Sequence, residues 1–161
     1  MRLRRRRRDE RGSVLALVPA AILVLMLLGA MAVDSAVAYL GQRQLADALA
    51  AAANDAATAG LSNTAFYRSG AVRLDPSAVD RVVCTTVRGQ DDGQLHGLRV
   101  EVGVTATVVE LRGRATVDAV FGRMLPGFAT RTVSAGAVAQ VEPGPRAPAP
   151  LPTGLVPLRC G

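Results

Sequence analysis

Apolar and polar positions divide the chain into two regimes. From Ser13 to Val33, "SVLALVPAAILVLMLLGAMAV" runs for 21 residues without a charge. At about 1.5 Å rise per residue, a helix of that length reaches about 31 Å, the hydrocarbon thickness of a bilayer. Its one breaker, Pro19, falls near the start, where a membrane helix tolerates a kink. From Asp34 to Ala59 the sequence "DSAVAYLGQRQLADALAAAANDAATA" is rich in Ala and free of Pro. Leu45, Leu49, Ala52, Ala53 and Ala56 recur at helical spacing, Gly41 weakens the middle, and Gly60 closes the pattern. The two stretches predict one rod of about 45 residues, roughly 65 Å long. A stripe of Ala and Leu admits close packing against a neighbouring subunit or against this chain's own sheet, and both readings stand.

After Gly60 the periodicity shortens. "LSNTAFYRSGAVRLDPSA" is turn-rich and predicts loop, with a short strand around Ala71–Leu74. The β-branched "VDRVVCTTV" (79–87) predicts a strand, and Asp92-Gly93 a turn. In "LRVEVGVTATVVEL", Val100, Val102, Val104, Ala106 and Val108 alternate with Arg99, Glu101, Gly103, Thr105 and Thr107, which predicts a half-buried antiparallel strand. Val117, Val120, Phe121, Met124 and Leu125 fall at helical spacing and predict a short amphipathic helix ending before Pro126. Period two returns with Val133, Ala135, Ala137, Ala139 and Val141. A long helix covering a small antiparallel sheet, here of three strands, is an α+β fold. Beyond Glu142 lie six of the nine prolines, which favour an extended tail or spacer over a core.

Composition sharpens this picture through where the charge sits. The whole chain carries +6, but residues 1–11 hold seven arginines against Asp9 and Glu10, a net +5, which leaves +1 for everything else. With no basic surface on the folded part and only three Phe and two Tyr to stack on bases, nucleic-acid binding is a poor reading. Arginines flanking one side of an apolar run place that side in the cytoplasm. The expected organisation is a basic cytoplasmic segment (1–12), a transmembrane helix (13–33), an Ala-rich extracytoplasmic helix (34–60), a small exported α+β domain (61–142) and a Pro-rich tail (143–161). The expected protein crosses a membrane once, with its N-terminus in the cytoplasm. A cleaved secretion signal is the alternative, since Ala30–Ala32 forms a small-residue site and cleavage after Ala32 would release a soluble binding protein. The length of the apolar run and the helical sequence crossing that site favour retention.

Three stretches, "RGSVLALVPA", "AVDSAVAYLGQRQLADALAAAANDAATAG" and "VFGRMLPGFATRTVSAGAVAQV", resemble the TadE/TadG-like proteins of the tight-adherence (Flp) pilus and related secretion systems. The resemblance spans most of residues 11–142. It implies a pilin-like arrangement and a structural role among other pilus or secretion-apparatus subunits. It also points to Gly12–Ser13 as a prepilin-peptidase junction. TadE-like pseudopilins carry an acidic residue at the fifth position after that glycine, where this chain has Leu17. The departure favours plain helix entry at Ser13 and an uncleaved, TadG-like anchor.

The remaining chemistry is sparse. Asp34, the first charge after the apolar run, marks the helix leaving lipid or pairs with a partner's arginine. Cys84 and Cys160, the only cysteines, either bridge or stay apart, and their spacing does not suit zinc. His96, expected in a turn, has no identifiable catalytic companion, and Asp91-Asp92 is too small a set of oxygens for calcium. No cofactor, metal, small-molecule substrate or enzymatic activity is expected. The expected partners are the membrane and other subunits.

Overall fold

The computed structural model describes residues 11–89, 95–124, 126–141 and 150–160, with side chains from Leu17 onward. The basic run up to residue 10, the Asp91-Asp92-Gly93 turn, Leu125 and the start of the Pro-rich segment (142–149) lie outside the described residues.

The fold is α+β, with one long N-terminal helix packed on a small antiparallel sheet. Helix α1 (Arg11–Ala59) runs for 49 residues through Pro19 without interruption. Its first part is long and apolar enough to cross a membrane. There the side chains of Leu17, Val18, Ile22–Leu28, Met31 and Val33 are exposed. The later part lies on the sheet, where Leu45, Leu49, Ala52, Ala53 and Ala56 are fully or almost fully buried. Between the two stands Gly41, where a β-carbon would lie 2.5 Å from Val117 Cγ2, so glycine sets the closeness of helix and sheet.

Strands β1 (His96–Val104), β2 (Val108–Asp118), β3 (Thr130–Gln140) and β4 (Val156–Pro157) form a four-stranded sheet in the order β3-β2-β1-β4. All neighbours are antiparallel. Val109, Leu111, Ala115 and Val117 of β2 meet α1, flanked by Val100 and Val102 of β1 and Val133 and Ala139 of β3. Arg99, Arg112, Arg114 and Ser134 alternate with these on the outer face.

Four expected elements between Gly60 and Pro126 change. First, residues 79–87 are not a strand but the middle of helix α3 (Pro76–Gly89). Asp75 caps it, its Oδ1 accepting the Ser77 N–H at 3.0 Å, and Pro76 occupies the first turn, where a missing N–H costs nothing. Val79 and Val83, one helical turn apart, are buried and α3 packs on α1, so burial overrides β-branched propensity. Second, the loop after Gly60 contains a short helix, α2 (Asn63–Ser69), and the strand near Leu74 is a single bridge to Leu61.

Third, the alternating segment 98–111 is a hairpin. Thr105 Oγ1 accepts the N–H groups of Thr107 and Val108 at 3.4 and 3.0 Å, which turns the chain at Ala106–Thr107. Inward positions therefore shift from even numbers in β1 to odd numbers in β2. Fourth, among the described residues Val117, Val120, Phe121 and Met124 do not share an amphipathic helix. Val117 stays in the β2 ladder opposite Arg131, and only a 3-10 turn, Gly122–Met124, follows.

The end of the Pro-rich segment is part of the fold rather than a spacer. Leu158 N–H donates to the Val100 carbonyl at 2.9 Å, and β4 pairs with β1 at Glu101–Val102. Over the outer face, a β-carbon at Gly103 would stand 2.8 Å from Pro152 Cβ and 2.9 Å from Leu155 Cδ2.

Candidate functional site: a carboxylate clip where the apolar run ends

Asp34 and Glu110 are the two buried charged side chains among the described residues. Glu110 is answered locally by Arg112, whose Nη2 lies 2.9 Å away. Asp34 is answered from far along the chain. Its Oδ1 accepts the backbone N–H groups of Val120 at 2.8 Å and Phe121 at 3.0 Å, and its Oδ2 accepts that of Gly122 at 2.8 Å. Three successive N–H groups thus converge on one carboxylate, as they do on anions bound by backbone nests. Those bonds hold the Asp34 carboxyl below its ordinary value of 3.8. The Phe121 N–H contributes most, partial burial opposes it, and the Gly122 and Val120 N–H groups and the Arg131 guanidinium add to the lowering.

The loop that supplies these donors is closed at its neck by the Ala119 N–H donating to the Ala129 carbonyl at 2.9 Å. Gly122 is required at its centre, because a β-carbon there would lie 2.3 Å from the Phe128 carbonyl oxygen and 2.8 Å from Ala119 Cβ. At the same end of the sheet, Asp118 bonds Arg123 and has His96 Nε2 at 3.6 Å. His96 opens β1 rather than sitting in a turn. The clip fastens the β2–β3 connection to α1 at the residue where the uncharged run stops.

The other candidates take clear places. Leu45, Leu49, Ala52, Ala53 and Ala56 are consumed by the chain's own core, which removes them as a surface for neighbouring subunits. Asp34, expected to pair with a partner or to stand as a mere exit marker, is occupied internally. Cys84 in α3 and Cys160 after β4 form a disulfide with Cα atoms 5.5 Å apart, tying the tail to a helix and not to a strand. The backbone of Gly12 and Ser13 lies within α1. Among the described residues, no group of three or more His, Cys, Asp or Glu could hold a metal ion.

Sequence reasoning missed the exposure of Phe121, Met124 and Phe128 on the clipped loop. The available signal was the density of helix breakers, with Gly122, Pro126 and Gly127 interleaved among apolar residues. No family model, no curated protein and no solved structure matches the chain.

Proposed function

We propose that the chain is a single-pass membrane protein that holds a pilin-like α+β module against the outer face of a bacterial cell membrane. It serves there as a structural, TadE/TadG-like subunit of a pilus or secretion apparatus. The observation that carries this reading is the division of α1. One unbroken helix exposes Leu, Ile, Val and Met all round up to Val33 and then buries Asp34 and a stripe of Ala and Leu in the folded module. A helix apolar on all sides has lipid as its natural solvent. The concentration of arginine before Ser13 puts that end in the cytoplasm. The disulfide between Cys84 and Cys160 suits an oxidising compartment outside it.

The role is one of packing and presentation rather than catalysis. Because the module's own core takes the Ala-rich stripe, lateral contacts between subunits fall to the lipid-embedded half of α1 and to Tyr39 and Leu40, which are exposed on its outer side. Fractionation followed by N-terminal sequencing tests the reading. Recovery in the membrane with a start at Met1 supports an uncleaved anchor, and a start at Ser13 supports pilin-type processing. A soluble product starting at Val33 overturns both, and would leave the Asp34 clip one residue from a fraying terminus.

A further inference from the structure

The clip and the surface of the loop it holds have a joint consequence. We propose that the β2–β3 connection, Ala119–Ala129, is a second membrane contact, its apolar side chains resting in the headgroup and upper acyl region of the leaflet from which α1 emerges. This rests on the reading of α1 as a membrane anchor.

Position comes from Asp34. It is the first charged residue after the apolar run, and the backbone of Val120, Phe121 and Gly122 lies within 3.0 Å of its carboxylate. The headgroup region on each side of a bilayer is about 5–7 Å deep, so a loop fastened at the first residue outside the hydrocarbon stands inside it.

Chemistry comes from what the loop exposes. Val120 is 53% exposed, Phe121 43%, Met124 84% and Phe128 62%, within one short connection. The clip and the Ala119–Ala129 hydrogen bond close the loop through its backbone, and these side chains stay exposed on it. In water such a cluster is costly, whereas apolar side chains held at the depth of the headgroups suit a lipid interface. Arg123 and Arg131 beside it face Asp118 and Asp34 respectively, so the loop meets the interface with its charge balanced. A second copy of the loop is the competing occupant, but lipid is favoured because the anchor brings the loop to it in every molecule.

The chain contains no tryptophan, so single-Trp variants of the full chain report depth directly. Phe121→Trp and Phe128→Trp probe the loop, Leu25→Trp the span, and Tyr67→Trp the far end of the module. Each is reconstituted in phosphatidylcholine–phosphatidylglycerol vesicles with and without lipid brominated near the top of the acyl chain, and Leu25→Trp also with lipid brominated near the chain end. Retention of the Cys84–Cys160 bridge on a non-reducing gel reports folding, and the two loop variants back each other up. The loop probes are expected to be quenched at least about threefold more than Tyr67→Trp, with blue-shifted emission. Quenching of Leu25→Trp with loop probes as unquenched as Tyr67→Trp overturns the second contact and leaves the anchor standing. Blue-shifted but unquenched loop probes also overturn it, in favour of a second copy. An unquenched Leu25→Trp overturns the anchor and the loop contact together.

Discussion

At Asp34, one carboxylate takes three backbone N–H groups from residues 86 to 88 positions further along the chain. The sign of its pH dependence follows from the depressed pKa. In the unfolded chain the group ionises at its ordinary value, and in the fold it ionises lower. The stabilisation is therefore complete above the ordinary carboxylate range and is lost as pH falls through the lower folded value. Thermal unfolding of the detergent-solubilised protein should weaken on acidification below about pH 4, and Asp34→Asn should flatten that part of the profile. The amide also turns an N–H donor toward an N–H donor, so the variant should melt earlier at neutral pH. Asp75, lowered chiefly by the Ser77 hydroxyl, contributes to the same limb, and Asp75→Asn separates the two. Gly41 is the second residue where identity is forced. Gly41→Val should cost about 1–3 kcal/mol by overpacking Val117. Adding Val117→Ala should recover part of that loss in a denaturation double-mutant cycle.

At the scale of elements, the two halves of α1 answer differently to the same substitution. Leu49→Ala opens a cavity under Gly113 and Leu111 and should cost about 2–5 kcal/mol of module stability by chemical denaturation. Leu25→Ala, on the exposed half, should leave both module stability and recovery in the membrane fraction unchanged, because one apolar residue is a small part of the insertion free energy of the run. The helix was legible in the sequence because an uncharged apolar run leads without a break into an Ala-rich stretch with 3.6-residue spacing, and β3 because its small-residue alternation is unbroken. Helix α3 was misread because Val and Thr favour strands locally. Its cap, Asp75-Pro76-Ser77, carried the truer signal. The hairpin turn at Ala106–Thr107 left no Gly, Pro or Asn to mark it, since a threonine side chain and long-range partners for the turn carbonyls do the bending. Asp34 was legible as a boundary but not as a clip, because nothing in a one-dimensional pattern joins it to Gly122.

For the whole molecule, the disulfide and β4 return the C-terminal segment to the sheet and close it over β1. A bridge spanning 76 residues restricts the unfolded chain strongly, so Cys84→Ser should lower stability by about 2–4 kcal/mol. It should also make residues 150–160 an early site of proteolysis, read by limited digestion and mass spectrometry. The Pro-rich composition hid this because proline argues against core and ladder positions, whereas Val156–Pro157 makes only a short edge pairing.

The unbroken passage of α1 from its exposed half into the core, with the Asp34 clip at the junction, has a mechanical consequence. The close packing of Gly41 on Val117 couples the exposed half of α1 closely to the sheet. If the exposed half of α1 lies in a bilayer, as proposed, torque or pull applied to the module is delivered straight to that half, and a change in its tilt reorients the whole module. A subunit of the proposed kind, placed under tension, would behave as a rivet, not a tether.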